Sequence, residues 1–220
     1  MNASRALPAS PWARIAPPAL GLLYVLAWAV GLSVGPASAD VTASPAQVVH
    51  RYLAQSGGAL ASYLLTEGLA ALALAGVVIL LHRAARSRSV GKPMLVAGLA
   101  AAAVSLAQCC TGVLVVAWIA PAGHITISAT LIDLINRVDG AKMLILAVMA
   151  LTALPVARAR VLPAPFTYLA VLLALSLVLS GIGYLLALAP LMEAAFISLP
   201  LLILWILAVG VVLAWRAGRD

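Results

Sequence analysis

The sequence predicts an all-α, polytopic transmembrane bundle of six helices, and three observations carry that prediction. Hydrophobic residues make up 65% of the 220-residue chain, and charged residues only 9%. Apolar runs of roughly 20 residues, each long enough to cross a bilayer, recur along its whole length. A closed barrel, the other architecture lipid admits, would need strands alternating over about ten residues, and these runs do not alternate.

The expected spans are about 18–35, 59–81, 94–120, 131–154, 166–189 and 194–214, within one bundle over about 18–214. Short tails, 1–17 and 215–220, flank it. Of the 13 Lys and Arg residues, all but Arg51, Arg137 and Lys142 fall in the tails or in the second and fourth loops. By the positive-inside rule these lie in the cytoplasm, which makes the chain N-in and C-in in a bacterial cytoplasmic (inner) membrane. The formal charge of +7 is therefore explained by topology. No basic soluble face or nucleic-acid motif accompanies it.

The first span has two readings. A basic head, the run ALGLLYVLAWAVGLSVG and Pro36-Ala37-Ser38-Ala39 before Asp40 also fit a secretory signal cleaved after Ala39, which would leave five spans. Between spans one and two, Ser44 is a helix N-cap and Pro45 a first helical residue. Val48, Val49, Tyr52 and Leu53 share one face, and Gly57-Gly58 is a stop signal. A short interfacial helix over about 45–56 is expected, with His50 and Arg51 at its edge. Pro93 and Pro121 bracket span three, Pro155 ends span four, and Pro163 and Pro165 precede span five. Pro200 lies within span six, where it removes a backbone hydrogen bond and is expected to kink the helix near Phe196.

Charge is confined to alternate spans. One, three and five contain no Asp, Glu, Lys or Arg, whereas two, four and six carry Glu67, Asp133 with Asp139, and Glu193 in their outer parts. Glu67 and Lys142 fall at similar depth, roughly 7–10 Å inside the outer boundary, and pair if spans two and four touch. On span four, Asp133 and Arg137 form an i,i+4 pair. Asp139 and Lys142 form an i,i+3 pair on nearly the opposite side, beside Asn136. A charge facing lipid costs at least about 2.5 kcal/mol, so this span is expected to be enclosed by the bundle.

Counting Glu67, Asp133, Asp139 and Glu193 against Arg137 and Lys142 leaves two acids in excess. Glu193, after Pro190, suits a helix N-terminus, but Glu67 must pair across helices, be protonated or face water. Glu67, Asn136, Arg137, Asp139 and Lys142 are thus either an outward-facing binding site or a clamp that sets helix register. Buried ion pairs contribute little net stability, which favours a site.

Asp133, Gln108, Tyr184 and Glu193 are secondary candidates. Gln108, in AQCCTG, is expected to make one interhelical hydrogen bond. Cys109 and Cys110 without a third ligand are a poor metal site, and adjacent cysteines do not readily meet disulfide geometry. Tyr184, with Ser180, Gly181 and Gly183, is expected either to help line the outer cavity or to belong to a small-residue stretch suited to close packing. His50, His82 and His124 fall at different membrane faces and form no haem pair, so neither cofactor nor metal is called for. No hydrolase, metalloprotease or phosphate-loop motif occurs.

The segments 67–105 and 139–175 echo one another as acid-Gly, span, basic loop, proline, span. Three such hairpins around an axis would bring spans two, four and six together. The stretch INRVDGAK, read as N-R-x-D-x-x-K at Asn136, Arg137, Asp139 and Lys142, together with the opening ARIAPPALGLLYVLAWAVGL, resembles a group of uncharacterised bacterial multi-pass membrane proteins of about this length. That resemblance implies an inner-membrane bundle and no particular activity.

The functional expectation is binding and transport of a small solute or ion, with Glu67 titrating and Arg137 and Lys142 as counter-charges. The alternatives are an accessory subunit of a membrane complex, partnered by another membrane protein or by copies of itself, and a lipid-modifying enzyme using Glu67 or Asp139 beside Lys142.

Overall fold

The computed structural model describes residues 11–36, 44–85, 88–158 and 161–218, and among these every regular element is helical. Arg5, the A-x-A sequence at 37–39, Asp40, Arg86, Arg160, Arg219 and Asp220 lie outside the described residues. Among the described residues, six helices are long and apolar enough to cross a membrane.

Helix α1 (Pro11–Val34) begins earlier than expected and runs through Pro17 and Pro18. Helix α2 (Pro45–Ala54) is fixed by a reciprocal cap. Gln47 N donates to Ser44 Oγ at 3.3 Å, and Ser44 N donates to Gln47 Oε1 at 2.8 Å. The expected stop at Gly57-Gly58 is wrong. The break falls at Gln55, in a non-helical conformation, and both glycines lie inside α3 (Ser56–Ala84). Within α3 the turn over Tyr63–Leu69 is widened, and Ala70 N–H bonds back five residues to Leu65 O.

Helix α4 (Arg88–Leu114) starts before Pro93 and continues into a second wide turn, Val115–Ile119, with Ala120 N donating to Val115 O at 2.9 Å. Helix α5 (Ile125–Thr152) starts six residues ahead of the expected 131. Its Thr126, Ser128 and Thr130 are accommodated in helix, Thr130 Oγ1 donating to Thr126 O. The short helix α6 (Leu154–Arg158) carries Pro155 in its first turn. Then α7 (Pro165–Leu186) ends on Ala187, a left-handed residue with φ 52°. The helices α8 (Ala189–Met192) and α9 (Ala195–Ala217) complete the chain, α9 passing through Pro200 unbroken.

The spans form a ring in chain order. Helix α1 packs on α3, α3 on α4, α4 on α5, α5 on α7 and α7 on α9, while α9 closes against α1. Helix α3 also touches α9. Lipid is as apolar as leucine, so such a ring depends on close approach and internal hydrogen bonds rather than on hydrophobic burial. Glycine supplies the approach. A Cβ at Gly210 would lie 2.5 Å from Pro17 O, and one at Gly140 would lie 2.7 Å from Gly181 O. At the seam between α7 and α9, Ser180 Oγ and Ser198 Oγ are 3.2 Å apart in a fully buried setting.

The start of α1 and the end of α9 meet at one face, where Arg14 Nε donates to Ala217 O at 3.2 Å. Exposed Trp12, Tyr168 and Trp215 sit towards this end and exposed Trp118 towards the other, the distribution expected of aromatic belts at the two interfaces. The helix α2 does more than lie on the headgroups. Its Val49 is wholly buried with Val115, Ala120 and Ile132, so α2 caps the outer ends of α4 and α5.

Candidate functional site

Lys142 is the centre of the site. Its Nζ lies 2.6 Å from Asp139 Oδ1, one turn earlier on α5, and 2.7 Å from Glu67 Oε2 on α3. The Lys142 side chain is only 7% exposed, and Glu67 and Asp139 are also largely withdrawn from solvent. One ammonium thus holds two carboxylates, a net charge of −1 in the ring interior. The side chains meet across the bundle while α4 packs between the two helices that carry them.

Local backbone geometry aims these groups inward. Glu67 lies within the wide turn Tyr63–Leu69, and wide turns of this kind gather at functional sites. Thr66 Oγ1 donates back to Ser62 O at 2.9 Å, satisfying its hydroxyl within the distorted turn. On α5, Gly140 packs tightly against Gly181 of α7. Gly140 points at α7, and Asp139 and Lys142 turn towards the interior.

Two cavities adjoin the ion triad. The outer one, of about 210 Å³, is polar and is lined by Glu67, Asp139, Asn136, Gln108 and Ser62, with Tyr52, Tyr63 and Tyr184. The inner one, of about 50 Å³, is largely apolar and draws residues from all six spans, including Tyr24, Ala71, Ser105, Lys142, Leu177 and Leu202. Thr66 and Asp139 border both cavities. The triad is therefore the partition between a polar outer chamber and an apolar inner one. Gln108 makes an interhelical bond, its Nε2 donating to Ile135 O at 3.0 Å, while its Oε1 is buried without a partner.

The charged cluster at the head of α5 divides in two. Asn136, Asp139 and Lys142 join Glu67 at the cavities, but Asp133 and Arg137 do not. Arg137 Nε donates to Asp133 Oδ2 at 2.8 Å, with the two side chains 50% and 63% exposed. Arg137 Nη1 also reaches Leu185 O, at 3.4 Å, complementing the last carbonyls of α7. The expected enclosure of this side of the helix is thus overturned. The membrane span holding α5, Ile125–Ala157, has 33 residues. At about 1.5 Å per residue it outreaches a hydrocarbon core of roughly 30 Å, so its outer turns stand among headgroups and water.

Glu193, exposed at the junction of α8 and α9, is outside both cavities. Cys109 is buried and Cys110 exposed, on different faces of α4. Sequence reasoning did not single out Tyr63, Thr66 or Tyr52 as cavity-lining residues. Tyr52 and Tyr63 approach with ring centroids 6.3 Å apart because the break at Gln55 folds α2 over α3, a turn that the residues Gln55-Ser56-Gly57 signal only faintly.

Searches against protein-family models, curated proteins and solved structures give no match to the chain.

Proposed function

We propose that this multi-pass membrane protein binds a small solute or ion from the outer side of a bacterial cytoplasmic membrane and moves it through the helix ring. The observation that carries the reading is one buried Lys142 shared by two carboxylates between a polar and an apolar chamber. A pair kept only for stability would be a poor investment, because desolvating the charges offsets most of their attraction. The excess negative charge favours a cationic or proton-linked ligand.

In this mechanism Glu67 is the exchangeable group. Protonation of Glu67, or arrival of a cation beside it, releases its hold on Lys142. The ammonium stays with Asp139 as a neutral pair. Thr66 and Asp139 touch both chambers, so a small displacement of the triad is enough to join them. Arg137, occupied with Asp133 and the end of α7, has no part in this cycle.

Native mass spectrometry from mild detergent, followed by flux measurements in proteoliposomes with trapped proton- and sodium-sensitive dyes, tests the reading. Wild type is expected to carry an adduct and to support flux, and Glu67→Gln to lose both while remaining folded. Bare, equally stable protein in both forms with no flux at any pH would overturn it in favour of an accessory subunit.

A further inference from the structure

Resting on that reading, we infer that the outer chamber recognises a small organic ammonium carrying at least one N–H, a primary or secondary amine in its protonated form. Four features of the chamber converge on this chemistry.

The first is charge: Glu67 and Asp139 together exceed Lys142 by one negative charge, so a monovalent cation makes the site neutral. The second is that the site already holds an ammonium. The two carboxylates grip Lys142 Nζ at 2.7 and 2.6 Å, the geometry an incoming R–NH₃⁺ would compete for.

The third is Gln108, which lines the chamber and is 3% exposed. Its amide orientation is fixed by the bond from Nε2 to Ile135 O, which leaves Oε1 as a buried acceptor with no donor among the described residues. A buried acceptor without a partner is costly, so a ligand N–H that reached Oε1 from the chamber would be favoured. A bare alkali cation is also served by carboxylates and carbonyls, but it has no carbon to bury against the fourth feature. Three tyrosines line the same chamber, Tyr52 and Tyr63 with centroids 6.3 Å apart and Tyr184 from α7. Aromatic faces attract alkylammonium groups through the ring quadrupole while burying their carbon. The apolar chamber behind the triad then receives the alkyl part once the partition moves.

The test is isothermal titration of detergent-solubilised full-length protein with ethylammonium chloride, against tetramethylammonium chloride, sodium chloride and ethanol. Ethylammonium is expected to bind at least tenfold more tightly than sodium, and ethanol not to bind. Glu67→Gln should weaken ethylammonium at least tenfold. Gln108→Leu should weaken ethylammonium several-fold yet leave tetramethylammonium, which has no N–H, unchanged. Both variants retain a balanced interior, since the first leaves a neutral Lys142–Asp139 pair and the second removes an unpaired acceptor along with its bond. Glu67-dependent sodium binding without ethylammonium binding overturns the ammonium assignment and leaves the solute-site reading standing. Absence of binding by any cation overturns both.

Discussion

Lys142 holds two acids, and the three side chains are not interchangeable. Replacing Glu67 by Gln leaves a neutral Lys142–Asp139 pair, at a cost of about 2 kcal/mol or less for one charged hydrogen bond. Replacing Lys142 by Met leaves two carboxylates close together without a counter-charge, and breaking a buried pair in this way costs about 3–5 kcal/mol. Thermal unfolding in detergent should therefore rank Lys142→Met well below Glu67→Gln. The reverse order would mean that the ammonium, not the acids, is the group left uncompensated. The sequence already pointed to this pairing through depth and charge imbalance. Periodicity also separated Asp139 and Lys142 from Asp133 and Arg137, but it did not say which side of the helix looked inward.

At the scale of the element, glycine contacts orient the helices. Gly140 on α5 meets Gly181 and Leu185 on α7 through backbone atoms that have no room to yield, a Cβ falling 2.7 Å from Gly181 O and 2.8 Å from Leu185 N. Gly140→Leu should cost at least about 2 kcal/mol by overpacking and should also weaken ligand binding, since Asp139 and Lys142 flank it. Gly57 gives the opposite case. It is helical, and a Cβ there meets nothing within 4 Å. Gly57→Ala should therefore raise stability by about 0.5–1 kcal/mol. Melting curves of the two variants check both signs. The small-residue stretch around Gly181 was legible in the sequence as a packing surface. The wide turn at Tyr63–Leu69 was not, because no residue type marks the place where a helix takes in an extra residue.

For the whole molecule, the decisive feature is closure of the ring by its first and last spans. Helix α1 buries Tyr24 and Ala27, receives α9 where Gly210 meets Pro17, and supplies Tyr24 and Trp28 to the inner chamber. In this ring the apolar segment before Pro36 is a wall. A chain lacking residues 1–39 should lose its cooperative melting transition and elute as aggregate in size-exclusion chromatography. A monodisperse, equally stable truncated protein would show that the other five spans close without it. The expected meeting of spans two, four and six was half right. Helices α3 and α9 touch, while α5 joins α3 through the Lys142–Glu67 bridge.

The sequence by itself determined the six apolar spans and the placing of Glu67, Asp133 and Asp139 on alternate ones, because hydrophobic length and charge placement act locally along the chain. It also named Glu67, Asp139 and Lys142 as a group, since helix geometry relates residues on one helix and depth relates residues on two. Only the tertiary structure decided that Asp139 and Lys142, and not Asp133 and Arg137, face the interior. It alone brought Tyr52, Tyr63 and Gln108 to one cavity with Tyr184. The rotation of a helix about its axis is set by what packs against it, here Gly140 on Gly181, and no pattern within a single helix contains that contact.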